Sequence, residues 1–157
     1  MTTFVLLHGA YQGPWIYKTV AERLRNQGHT VYVPCLDGCA ERAANLRPGI
    51  TTESHADEVA SLLFYEDLSD VVLVGTSSGG MVLAAAAERA RERVGRVVFA
   101  DALALQNGEK IRDIVKGPAA VENDLAIGMT REDAAGRAFR TSARADAMGA
   151  FRLCSAS

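Results

Sequence analysis

Four short apolar runs, at residues 4–7, 30–33, 71–74 and 97–99, punctuate the first hundred positions. They are rich in β-branched side chains and continuous rather than alternating with polar residues, the pattern of parallel strands covered on both faces. The stretches between them repeat with a helical period. Ile16, Val20 and Leu24 recur at intervals of four within 15–27, and Gly28 supplies a stop. Ala56, Val59, Ala60, Leu63 and Phe64 form one apolar stripe over 53–65, with Thr51 or Thr52 available as its cap. Strong helix formers from Met81 to Arg91 predict a third helix over 78–93.

Strand and helix in strict alternation predict an α/β protein: a parallel sheet wound by right-handed crossovers, with helices on both faces. Residues 37–50 read as a long loop over the surface. After Gly108 the character changes. One short helix is expected over 109–115 and an Ala- and Arg-rich helix over 130–148, capped by Thr130, with no further strand. The chain thus divides into an α/β core at 1–118 and a helical C-terminal segment at 119–157.

Composition narrows the function classes. The 157 residues are 48% hydrophobic and 23% charged, the balance of one globular domain, and a chain of that length buries about 70% of its unfolded surface without staples. Seventeen cationic against nineteen acidic residues leave a net charge of −2, so no basic footprint exists for nucleic acid or anionic lipid. The longest apolar runs, such as 81–87, fall far short of the roughly 20 residues that span a bilayer. Residues 1–8 have no basic start and too short an apolar stretch for a secretory signal, so the expected location is cytoplasmic. Cys35, Cys39 and Cys154 read as reduced thiols, and no second Cys or His pair stands at zinc-ligand spacing.

The candidate chemistry lies at the third strand. Gly75-Thr76-Ser77-Ser78-Gly79-Gly80 follows residues 71–74 directly and opens the helix that starts Met81-Val82-Leu83. Ser77 is the centre of a G-x-S-x-G pattern in strand-turn-helix context, which marks a nucleophile elbow. The turn requires unusual backbone angles at Ser77, and a Cβ at 75 or 79 would collide with the neighbouring strand and helix. A glycine-rich turn whose serine merely caps the helix is the plainer alternative. The first strand ends in His8-Gly9-Ala10, and the expected winding returns the third strand to the other side of the first. The two strand ends then flank a topological switch point, where open α/β sheets bind ligands. The amides of Ala10 and Ser78 can converge there on one oxygen as an oxyanion hole. His8 reads as a loop-shaping side chain. The turn lacks both the G-x-G-x-x-G spacing of a dinucleotide site and the Lys of a P-loop, so no cofactor is implied.

Phe4-Val5-Leu6-Leu7-His8-Gly9-Ala10, Gly13-Pro14-Trp15, Glu41-Arg42, the segment from Val72 through Met81-Val82 and the segment from Arg96 to Ala102 together resemble the α/β-hydrolase superfamily. The branch they are most similar to is that of the small esterases related to plant methylesterases and hydroxynitrile lyases. The resemblance covers residues 3–115 and breaks off after the fourth strand. It implies Ser77 as nucleophile, Ala10 and Ser78 as oxyanion donors, and a small ester or related acyl substrate. Thr76 stands where relatives often carry His.

The resemblance also implies a triad acid and histidine beyond the nucleophile, in that order. The chain has three histidines, His8, His29 and His55, and all precede Ser77. His29 is expected at the amino end of the sheet, and His55 as a surface or capping residue of its helix. Asp101, after the fourth strand, is a possible acid, with turn capping as its alternative. Three readings follow: an esterase acting through Ser77; a catalytically impaired homologue that binds a ligand or partner; or a fragment whose end, after about Val121, is not the family's own sequence. The run from Arg96 to Ala100 is expected to form an exposed apolar edge and to pair two copies of the chain as a homodimer.

Overall fold

The computed structural model describes residues 1–105; the predicted helices at 109–115 and 130–148 and the boundary at 118 lie outside the described residues. Four parallel strands, β1 (Thr3–Leu7), β2 (Thr30–Tyr32), β3 (Val71–Ser77) and β4 (Val94–Ala102), form one sheet in the order β2-β1-β3-β4. The third strand returns beside the first on the side away from the second, so β1 and β3 are the inner strands and their carboxyl ends lie side by side.

Continuity of the apolar runs has the expected cause. Val5, Leu7, Val71 and Leu73 face α2 (Thr52–Tyr65) and α3 (Gly79–Arg89), where they meet Ala56, Val59, Leu63, Val82, Leu83 and Ala86. Leu6 and Val31 face the opposite way, onto Tyr17 and Ala21 at α1 (Lys18–Asn26). Successive residues of β1 therefore serve two cores.

Three local differences from expectation have identifiable reasons. A 3-10 turn at Pro14–Tyr17 precedes α1, and the buried face of the helix is set by Tyr17, Ala21 and Leu24; Val20 is 46% exposed. Helix α3 stops at Arg89 rather than running to 93. Arg93 is drawn instead onto the carbonyls of Leu63 and Leu68, with its guanidinium 5.3 Å from the Phe64 ring centre, while its own carbonyl accepts the Val71 N–H. That contact explains how Phe64, on the helical stripe by spacing, remains 62% exposed.

The segment expected to cross the surface at 37–50 does so over 41–49, whose residues are exposed or half-buried, but its start is built into the fold. Leu36, Asp37, Gly38, Cys39 and Ala40 are buried, and Ala40–Asn45 winds into a second 3-10 turn. Its polar content is internally paired: Arg42 bridges Asp37 and Glu58, Asn45 and Arg47 both reach Asp37, and the Asp37 amide donates to Glu58. Charges that look solvated along the chain are consumed in one network.

Candidate active site

Ser77 is the last residue of β3 and the one that turns the chain into α3. Its φ is 51°, a left-handed conformation uncommon outside glycine. The turn closes only because its neighbours are small. A methyl group at Gly75 would lie 2.7 Å from the Gly79 carbonyl oxygen, and one at Gly79 would lie 2.5 Å from the Leu7 carbonyl oxygen and 2.7 Å from that of His8. Helix α3 thus starts in backbone contact with the end of β1.

This packing brings the Ser77 side chain to the loop after β1. A methyl at Gly9 would sit 2.7 Å from Ser77 Cβ and 3.2 Å from its Oγ. Ser77 is half-buried, and its carbonyl accepts the Leu103 N–H at 2.9 Å, which ties the turn to the end of β4. The amides of the loop are engaged. Gly9 N–H donates to Gln12 Oε1 at 2.8 Å, and Ala10 N–H donates to Ser78 Oγ at 2.8 Å. Ala10 and Ser78 therefore meet, but through the serine side chain, and the Ala10 donor is occupied. The Ser78 amide belongs to the first turn of α3, whose N–H groups have no partner within the helix. Around Ala10 pack Tyr11, Met81, Leu103 and Leu105, an apolar wall beside the turn.

None of the three histidines is presented to Ser77 as a free base. His8 is fully buried: its Nδ1–H donates to the Gly9 carbonyl at 2.9 Å and its Nε2 accepts the Leu36 N–H at 3.1 Å. Burial pushes its imidazole below the ordinary histidine range, against the opposing Gly9 bond, so it stays neutral. His55 is also fully buried, unlike the surface or capping residue the sequence leads one to expect, because Asp37 lies over it. Its Nε2–H donates to the Asp37 carbonyl at 2.8 Å, and burial lowers its pKa as well. His29 sits at the amino end of the sheet, where its Nδ1 accepts the Thr2 N–H and its ring meets Phe4 edge-on. Asp101 is exposed, with φ of 50°, at an irregularity where β4 carries one residue more than β3 between the pairs Gly75–Phe99 and Ser77–Ala102.

Two features escaped sequence reasoning. One is the Ser78 hydroxyl, since a serine at a helix start signals capping and not a contact 68 residues away. The other is Asp37, which draws partners from both its own segment and α2: Arg42, Asn45 and Arg47 on one side, His55 and Glu58 on the other. Burial alone would raise its carboxyl, but hydrogen bonds from Asn45 and Arg47 and the charges of Arg42 and Arg47 outweigh burial and hold it below the usual carboxylate range. A groove of about 510 Å³ between Pro34–Leu36 and α2 does not include Ser77. Among the described residues, no group of three metal-ligating side chains stands together, and no helix is long and apolar enough to cross a membrane.

Comparison with known proteins places this geometry. Residues 4–155 match the model of the alpha/beta hydrolase family. The chain belongs to that family. It is 38% identical over 111 residues to a carbendazim hydrolyzing esterase of Nocardioides sp. (strain SG-4G), covering 71% of this chain and 46% of that protein. It is 29% identical over 131 residues to methylesterase 8 of Arabidopsis thaliana, covering 83% and 46%. Among solved structures it is similar to an extracellular alpha/beta-hydrolase from a Paenibacillus species, with a TM-score of 0.72 and 30% identity over 80% of this chain and 51% of that one. The chain thus spans about half the length of these relatives. Both the fold class and the esterase branch expected from the sequence agree with these matches.

Proposed function

We propose that this chain carries the nucleophile and acyl-oxygen pocket of a serine esterase acting on a small ester or related acyl compound. The observation that carries the reading is Ser77, held at φ 51° on the carboxyl end of an inner strand with its hydroxyl against Gly9. In this reading the turn is a nucleophile elbow. Ser77 Oγ attacks the acyl carbon, and the Ala10 and Ser78 amides receive the charge that develops on the acyl oxygen. One such donor is worth about 3 to 4 kcal/mol of barrier when deleted elsewhere, and the positive end of α3 adds to it. The esterase names of the relatives support the same substrate class.

A serine hydroxyl is a weak nucleophile until a base takes its proton. The 157 residues carry no histidine after Ser77, and both nitrogens of His8 are spent. Acylation by this chain is accordingly slow: an oxyanion hole without its triad leaves about 10³-fold acceleration over water on another fold. In this reading exposed Asp101, one residue before the register partner of Ser77, is the candidate acid. The engagement of both His8 nitrogens favours a second reading, a homologue that retains the pocket for binding. Hydrolysis of an activated aryl ester by the wild type and by Ser77→Ala separates the two. Turnover lost with Ser77 supports the esterase; equal turnover in both proteins overturns it.

A further inference from the structure

This inference deepens the esterase reading and rests on it. Ser78 stands at the entry to α3, where a serine ordinarily turns its hydroxyl back onto an amide of its own helix. No such bond forms here. The hydroxyl instead accepts the Ala10 N–H at 2.8 Å, and both residues are closed to solvent, at 4% and 9% exposure. That amide is one of the two donors the acyl oxygen requires, and the other is the Ser78 amide itself. Ser78 Oγ is therefore the acceptor that the Ala10 donor holds. Its neighbour in the loop, the Gly9 amide, is held separately by Gln12 Oε1, so the exchange concerns Ala10 alone.

We propose that the Ser78 hydroxyl is a placeholder for the acyl oxygen: a positioning residue that keeps the Ala10 N–H aimed at α3 before substrate arrives and yields it to a substrate oxygen as negative charge develops there. The physical reason is the difference between neutral and charged acceptors. Exchanging a hydroxyl for a neutral ester carbonyl trades one ordinary hydrogen bond for another, with little net gain. Exchanging it for an oxyanion gains a charge-assisted bond about twice as strong. The device withholds one donor from the ground state and releases it toward the transition state, the direction in which binding accelerates a reaction. Buried, it also spares the Ala10 amide an unpaired interval.

The test uses the full 157-residue chain, labelled with nitrogen-15, and phenylboronic acid as the probe. In the adduct a bond forms from Ser77 Oγ to boron, the hydroxyl proton leaves to solvent, and boron keeps both its hydroxyls as a tetrahedral anion. The wild type should show an Ala10 amide proton protected from exchange, with a resonance that shifts on boronate binding. Ser78→Ala should speed Ala10 exchange at least tenfold and tighten boronate binding about 3- to 10-fold. Ser78→Cys, nearly the same size but a poor acceptor, should behave like the alanine variant, whereas a role in filling space would leave it like the wild type. Unchanged Ala10 protection in both variants, or weaker boronate binding in both, overturns the proposal while leaving Ser77 as nucleophile. If the wild type and Ser77→Ala bind boronate alike, the esterase reading itself fails, and the Ser78 bond is then a packing contact only.

Discussion

A left-handed backbone at a residue with a side chain costs about 1 to 3 kcal/mol, and it persists at Ser77 because the surroundings leave no alternative. Gly75 and Gly79 are those surroundings. Gly79→Ala places a methyl 2.5 Å from the Leu7 carbonyl oxygen, backbone that cannot rotate away, so β1 and α3 must separate. The expected loss is about 1 to 3 kcal/mol in urea unfolding, with a lower reactivity of Ser77 toward acylating probes at temperatures where the variant is still folded. A wild-type unfolding midpoint for Gly79→Ala would show that the contact is looser than described. The role of these glycines was legible in the motif, because a turn that tight leaves few residue types possible. The partner of the Ser78 hydroxyl was not, since nothing local distinguishes a serine that caps its own helix from one that reaches Ala10.

At the scale of elements, the ends of β1, the 36–40 segment and α2 are joined by two buried histidines. His8 accepts from Leu36, which needs a neutral ring, and His55 donates to the Asp37 carbonyl, a bond that opposes the effect of burial. Burial lowers both pKa values in the folded chain, so the unfolded chain binds more protons below about pH 6.5. Stability is fully present above that pH and falls as pH drops through the window toward the folded pKa values, by up to about 1.4 kcal/mol per pH unit for each ring. Urea midpoints should therefore be flat from pH 8 to 7 and decline from 6.5 to 5, with a shallower slope in His55→Gln, which retains a donor near Nε2. A slope that is the same in the variant would show that His55 does not contribute to the pH dependence. Helix α2 itself was readable down to its cap, since Thr51 and Ser54 exchange hydrogen bonds as a capping box. Thr51→Ala should cost about 1 kcal/mol by thermal or urea unfolding. The surface course of 41–49 was readable, but the burial of 36–40 was not. That burial depends on Asp37 collecting Arg42, Asn45 and Arg47, with Glu58 of α2 pairing Arg42, and along the chain such residues look like an ordinary solvated surface.

For the whole molecule, the alternation of apolar runs and helical stripes was enough to place β3 beside β1 on the side away from β2, because right-handed crossovers leave few windings open; the structure completes the order as β2-β1-β3-β4. Among the described residues β4 is an edge strand, and Val97, Val98 and Phe99 are 44%, 42% and 41% exposed. An apolar, unpaired edge is a template for another strand. Light scattering of the 157-residue chain should give a dimer, and Val97→Lys with Phe99→Lys should shift it to monomer without changing the circular dichroism. A monodisperse monomer for the unsubstituted chain would contradict pairing through this edge.

The proposed chemistry turns on the reactivity of one hydroxyl, Ser77 Oγ, and a covalent probe reads it most directly. The intact chain is exposed to a fluorophosphonate probe, digested, and the modified peptide located by mass spectrometry. The prediction is a single adduct on Ser77, slow but saturating, absent from Ser77→Ala and from the urea-unfolded chain. An adduct distributed over several serines, or labelling that survives Ser77→Ala, would contradict it.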